Sequence, residues 1–175
     1  SLGTSAFNKN SVLKTVTFGT GLQSIGGMCF NMCYQLESFQ VPEGNATFAA
    51  KDGILYSKAM DTVVWYPQGK TDTAYVMPES VKHIGPYGIY EVAALTSIRL
   101  SPVLETIDEF GLARLNITGT LTLPATVNSI HFKAMLYNYS LQGLETPAEN
   151  QTFQTKDGVL FTKDLSTLLI YPAGK

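Results

Sequence analysis

Apolar residues along this chain come in short bursts with a beat of two, and the bursts return at a fixed interval. In "LKTVTF" (Leu13–Phe18), Val16 and Phe18 share one side of an extended segment while Thr15 and Thr17 take the other, the alternation of a half-buried strand. "LESFQV" (Leu36–Val41) lies over it with a shift of 23. "LTSIRL" (Leu95–Leu100) lies over "TGTLTL" (Thr118–Leu123) with the same shift, and Leu144 of "LQGLET" follows Leu121 by 23 again. One further column holds Leu2, Ile25, Ile84, Ile107 and Ile130, and another pairs a small residue with a large one at Ala6-Phe7, Cys29-Phe30, Gly88-Ile89, Gly111-Leu112 and Ala134-Met135. Both columns advance in steps of 23, 59, 23 and 23, so one insertion of about 36 residues interrupts an otherwise strict period.

Each 23-residue unit reads as one short strand followed by a return segment of turns or a short helix. Pro42, Pro78, Pro102 and Pro124 follow a strand or its equivalent, where a missing N–H ends ladder pairing. One unit cannot bury its own apolar face, whereas stacked units form a shared core, so the pattern predicts a repeat solenoid.

The insertion carries a phrase that the chain uses twice. "FAAKDGILYSKAMDTVVWYPQGK" (Phe48–Lys70) lies over "FQTKDGVLFTKDLSTLLIYPAGK" (Phe153–Lys175) at an offset of 105. Asp52-Gly53 between two apolar runs is a two-residue hairpin signal, since a type I′ turn needs positive φ at both positions. A second turn near Ala59–Thr62 leads to "VVWYP", which makes the insert a three-stranded β-meander cassette. It reads as a hairpin ornament held to the solenoid by Phe48, Leu55, Trp65 and Tyr66, with Phe153, Leu160, Ile170 and Tyr171 in the second copy. The chain is expected to form one domain over residues 1–175, a slice of a longer array, with cassettes at about 46–76 and 150–175.

Composition narrows the partners. With 45% apolar residues, 15% charged residues and a net charge of −2, the chain carries no electrostatic footprint for nucleic acid. No apolar run approaches the ~20 residues of a membrane span. The chain starts at Ser1 without Met and is expected to be a mature or trimmed product, its secretion signal removed. Two cysteines are too few for a disulfide framework.

Sites for chemistry are sparse. Cys29 sits in the small-residue column, which makes it a structural thiol, and no second Cys/His pair accompanies Cys29 and Cys33 to build a zinc site. His83 and His131 stand at register positions without a partner set by sequence. "VWYPQGKT" (Val64–Thr71) ends like a phosphate-binding loop but has Val64 where the first glycine belongs, and "YPxGK" returns at Tyr171–Lys175 as a cassette turn. No G-x-S-x-G elbow occurs, and neither a catalytic residue nor a cofactor is expected. Asn45, Asn116, Asn138 and Asn150 match the glycosylation acceptor pattern, a match expected to arise by chance. What remains is the outward face of the strands: Thr15, Thr17, Ser38, Gln40, Ser97, Arg99, Thr120, Thr122, Gly143 and Glu145. Extended faces of this kind are where solenoids bind.

The L-x-x-I-x-L-P strand, the Ile-Gly column, the Ala-Phe pair and the "KDGILY…YPQGK" cassette together resemble the BspA-like leucine-rich-repeat proteins, surface proteins of anaerobic bacteria. The resemblance implies a right-handed, curved leucine-rich-repeat superhelix with strands lining the concave side. It also implies an extracellular or cell-surface location and adhesion to host or bacterial proteins and glycoproteins, without catalysis. The alternatives are a stiff spacer that displays another domain and, third, an accessory domain that positions carbohydrate. Sugar binding wants exposed ring platforms, for which Trp65, Tyr66, Tyr75, Tyr87, Tyr90 and Tyr137 are the candidates, most of them reading as core or cassette packing. Neither end shows a polar capping unit, so the stack is expected to continue beyond at least one end or to associate there with another copy.

Overall fold

A computed structural model describes residues 1–175 and contains strands and tight turns but no helix. In chain order the strands are β1 (Thr15–Thr17), β2 (Ser38–Gln40), the meander β3 (Phe48–Lys51), β4 (Ile54–Ser57) and β5 (Thr62–Trp65), and then β6 (Ala74–Val76). There follow β7 (His83–Ile84), β8 (Ile89–Tyr90), β9 (Ser97–Arg99), β10 (Thr106–Ile107), β11 (Leu112–Ala113), β12 (Gly119–Thr122), β13 (Ser129–Ile130) and β14 (Leu141–Glu145). A second meander, β15 (Phe153–Lys156), β16 (Val159–Thr162) and β17 (Leu168–Ile170), closes the chain.

The 23-residue period is the coil of a solenoid. Front-face strands pair in parallel with partners one period apart: Val16 opposite Phe39, Tyr75 opposite Ile98 and Leu121 opposite Leu144. A second ladder carries Ile84, Ile107 and Ile130 through β7, β10 and β13, and a third pairs Ile89 with Leu112. Six coils result, marked on the second ladder by Leu2, Ile25, Val63, Ile84, Ile107 and Ile130.

The return segments are turns throughout, not the short helices that the period allows. Two columns per coil place ordinary residues in the left-handed region: Ser5, Met28, Tyr87 and Phe110 in one, and Lys9, Met32, Glu91, Arg114 and Tyr137 in the other. Each such residue costs on the order of 1–3 kcal/mol and breaks any helix. The compensation runs between coils. The N–H groups of Ser5, Phe7 and Lys9 donate to the carbonyls of Gly27, Cys29 and Asn31, and those of Tyr87, Ile89 and Glu91 donate to Glu109, Gly111 and Ala113. The left-handed positions leave their side chains outside, where successive coils stack them. Tyr87 lies on Phe110 at 5.3 Å, and Arg114 reaches Glu91 at 2.9 Å.

The cassette is a partition in the core and not an ornament. Sheet order β13-β10-β7-β5-β4-β3 shows the meander continuing the second ladder, with Val63 of β5 opposite Ile84 of the next coil. Ile54, Leu55 and Tyr56 of β4 are all buried, because the strand has a core on each side. Leu55 joins Phe18, Phe30, Phe39, Phe48 and Trp65 of the first coils, while Ile54 and Tyr56 join the larger core of the later ones. Phe48, Leu55, Trp65 and Tyr66 therefore hold the insert to the solenoid as expected, the first three against the coils before it and Tyr66 against the coils after it. The second cassette repeats this with Phe153, Leu160 and Ile170 against the larger core. Tyr171, also expected to anchor the cassette, is 57% exposed where Tyr66, packed among the later coils, is 1% exposed.

The two turns of the repeated phrase lock this partition in place. Asp52 and Gly53 both have positive φ, 52° and 77°, as a type I′ turn requires. The Gly53 carbonyl accepts the Phe39 N–H of β2 at 2.8 Å, and Gly158 does the same for Leu144 of β14 at 2.9 Å. Lys70 of the YPxGK turn reaches back to the Asp52 carbonyl at 2.9 Å and clamps the hairpin tip. Gly69 donates to the Leu36 carbonyl at 2.7 Å, and a Cβ there would stand 2.6 Å from Gln35 backbone, so no other residue fits.

Asn45 opens the first cassette from a fully buried site. Its amide donates to the carbonyls of Gly19 and Leu22 of the preceding coil, and its oxygen accepts the N–H groups of Thr47 and Phe48 at 2.8 Å each. Asn150 makes the same four bonds in the second cassette. Replacing Asn45 with Leu strands four backbone groups at about 1–3 kcal/mol for each one that water cannot reach. A loss of about 3–5 kcal/mol is therefore expected in urea unfolding, against less than about 1 kcal/mol for Asn116→Leu at the surface.

Candidate functional site

The front face presents most of the expected residues but is not one continuous surface. Thr15, Thr17, Gln40, Ser97, Arg99, Thr120, Thr122 and Glu145 are exposed, and Ser38 is half-buried. At the first coils this surface satisfies itself, with Thr15 and Ser38 hydroxyls 3.1 Å apart and Thr17 donating to Gln40 at 3.1 Å. Gly143, expected to face outward into solvent, is instead covered by the second hairpin tip, whose Gly158 packs on it.

Two breaks divide the face. The first hairpin tip stands between β2 and β6 and opens a groove of about 560 Å³ in front of β6 and β9. A second hollow of about 310 Å³ lies where β9 and β12 part, next to the bulge at Gly119. Arg99 lines both. Its guanidinium makes no ion pair or hydrogen bond within the chain, whereas Arg114, Lys70, Lys82 and Lys133 each have a carboxylate.

The larger groove carries Lys51, Lys70 and Arg99 against Asp52, Asp72 and Glu79 around a floor of tyrosines. The Tyr56 and Tyr75 hydroxyls share a hydrogen bond of 2.8 Å, and Tyr66 meets Tyr75 edge-on at 5.2 Å. Burial pushes all three phenols upward, most strongly Tyr75, with the facing phenols and Asp52 adding to the shift there. The floor is neutral, and the charges of the groove lie on its rim.

The remaining candidates fall into structural places. Cys29 and Cys33 are buried free thiols, both pushed up by burial, and Cys33 donates to the Phe7 carbonyl at 3.0 Å. His83 Nδ1 lies 3.0 Å from the Thr106 hydroxyl, and His131 lies against Phe132. No group of three or more His, Cys, Asp or Glu side chains is placed to hold a metal ion. Among the acceptor-pattern asparagines, Asn45, Asn138 and Asn150 are buried and bonded, which closes those sites to modification.

Of the six aromatic candidates, Trp65, Tyr66 and Tyr75 are core, and Tyr87 and Tyr90 are half-buried around Phe110. Only Tyr137 is exposed, and the coil register sets Tyr139 beside it at 6.3 Å between ring centroids. Reading the sequence missed Tyr139 and Tyr34. The left-handed column that brings these rings onto one flank contains no glycine or asparagine to announce it.

In-register coils with a strand-lined front and a partitioned core define a repeat solenoid of the leucine-rich kind. The family described as BspA type leucine rich repeat region matches in six copies over residues 1–52 and 69–169, and the chain belongs to that family. A comparison with curated proteins returned no match. Among solved structures, a leucine-rich repeat protein from Eubacterium ventriosum superposes with a TM-score of 0.71 at 21% identity, over 87% of this chain and 46% of that one. The pneumococcal vaccine antigen PcpA gives 0.64 at 23% identity, over 79% and 40%. A leucine-rich cell surface protein of Faecalibacterium prausnitzii gives 0.61 at 17% identity, over 97% and 49%. The chain thus spans less than half the length of each, and the likeness is one of fold.

The tyrosine floor has a pH signature. Above the ordinary tyrosine value of 10.0, the unfolded chain releases protons that folded Tyr56, Tyr66 and Tyr75 retain, so stability is full below that pH and falls as pH rises through it. In an alkaline titration, phenolate absorbance should show these three of the nine tyrosines appearing only together with the loss of circular dichroism. Smooth titration of all nine before unfolding would contradict the buried floor.

Proposed function

We propose that this protein is a non-enzymatic interaction module, secreted from or displayed on a bacterial cell, that engages extracellular proteins or glycoproteins through the groove around Arg99. The observation that carries this reading is the groove itself: about 560 Å³, walled by a hairpin tip that only the cassette provides, with an unpaired guanidinium at its edge. Arginine beside an apolar floor is the composition that concentrates binding energy at interfaces. The exposed Val76 stands opposite Arg99 in the strand pair and adds apolar contact area. Membership of the BspA-type repeat family supports a surface role, as does likeness in fold to a protein described as a cell surface protein and to another described as a vaccine antigen.

Surface plasmon resonance of the purified chain over immobilised fibronectin, fibrinogen and mucin tests the proposal. Saturable binding is expected, weakened roughly tenfold or more by Arg99→Glu with Thr122→Lys. Both residues are exposed, so the paired variant should melt like the parent. Absence of binding to all three would leave the stack as a spacer, and binding indifferent to the pair would remove the Arg99 groove from the proposal.

A further inference from the structure

The flank of the solenoid carries a second cleft, on a different face from the Arg99 groove. It holds about 370 Å³ and is lined by Glu91, Arg114, Asn116, Tyr137 and Tyr139 from three successive coils. Two columns build it: Glu91, Arg114 and Tyr137 occupy the left-handed column, and Asn116 and Tyr139 follow two residues later in their coils. Tyr34 borders it across Glu91. Burial, then the charge of Glu91, push the Tyr34 phenol up, while Arg114 opposes them.

The polar groups here are held in place with valences to spare. Arg114 gives one N–H to Glu91 at 2.9 Å and lies over the Tyr137 ring, its guanidinium carbon 5.3 Å from the centroid. The rest of its five-donor fork is unused. Asn116 donates to the Ala93 carbonyl at 2.8 Å, which fixes the amide while its oxygen makes no bond within the chain. Tyr139 is 71% exposed, and its ring is tilted 50° to that of Tyr137, so the two form a corner and not a flat plate. The pairing of Glu91 with Arg114 leaves the lining without net charge.

This arrangement suits one ligand chemistry. A pyranose ring presents an apolar C–H face that stacks on an aromatic ring, and vicinal hydroxyls at its edge that match planar forks such as guanidinium, amide and carboxylate. A neutral lining selects a neutral sugar over a sialylated or sulfated one. The size points the same way, since a cleft near the lower end of the small-molecule range holds one or two rings, whereas a protein contact needs about 800 Å² on each side. Rigidity helps, because the backbone under these side chains is tied coil to coil and little freedom is lost on binding. We infer that the Tyr137–Tyr139 corner with Arg114 and Asn116 is a glycan-binding subsite for the terminal rings of a neutral oligosaccharide, separate from the groove around Arg99.

Saturation-transfer NMR on the whole chain, with N-acetyllactosamine, chitobiose and cellobiose as probes, tests this directly. Transfer to the ring protons of at least one probe is expected. It should be abolished in Tyr139→Ala, weakened roughly tenfold or more in Asn116→Ala, and unchanged in Arg99→Glu. Tyr139 and Asn116 are exposed, so thermal melts of both variants should match the parent. The inference is overturned by no transfer from any of the three, or by transfer that survives Tyr139→Ala. It is also overturned if the sugars stay silent while a protein ligand loses affinity in that variant, which would make the corner a protein contact. Because Arg99→Glu reports on the other groove alone, failure of either site is distinguishable from failure of the other.

Discussion

No coil of this protein can bury its own apolar residues, and the rest of the structure follows from that constraint. Each coil contributes a few inward side chains, such as Ile84, Ile89, Leu95 and Ile98, which become core only when the next coil lies over them in register. Register is enforced by parallel ladders and by return-segment N–H groups such as those of Ser5, Phe7, Tyr87 and Ile89, which donate to the following coil, while alternate ones close turns within their own. The left-handed backbone at two positions per coil is the local cost of aiming those groups outward along the stack.

A cassette that enters such a stack must replace what it displaces. The first one does so by offering a strand with apolar residues on both faces, Leu55 toward the early coils and Tyr56 toward the later ones. Its third strand then takes the place of a coil strand beside β7. The hairpin tip caps the front strand before it and holds that position through Lys70. The same tip is one wall of the groove around Arg99, so the feature that makes the front face discontinuous also makes it concave enough to hold something. Scaffold and candidate site are one construction.

The flank cleft arises from the same register by another route. Left-handed residues turn their side chains away from the core, and a 23-residue step stacks them into outward ladders. In the early coils those ladders carry Lys9 and Met32, whereas in the later ones they carry Glu91, Arg114 and Tyr137. A constant backbone with variable outward residues lets one fold present different chemistry from coil to coil.

The period, the meander in each insert and the inward columns were legible in the residues themselves, because burial in a stack demands the same residue type at the same step, whereas the coil that Val63 completes inside the insert was not. Leu36, Leu95 and Leu112 announce their burial by register alone, and Asp-Gly announces its turn. Four further things were not legible. The return segments turned without helix because inter-coil hydrogen bonds override local preference at Met28, Phe110 and Arg114, where no glycine marks the left-handed backbone. The direction in which Tyr66 and Tyr171 face, the burial of Asn45 and Asn150, and the meeting of Tyr137, Tyr139, Arg114 and Asn116 all depend on which coil lies next door. Repetition along the chain fixes what each coil must bury; only the stacked structure decides what neighbouring coils bring together on the outside, since no burial requirement constrains those positions.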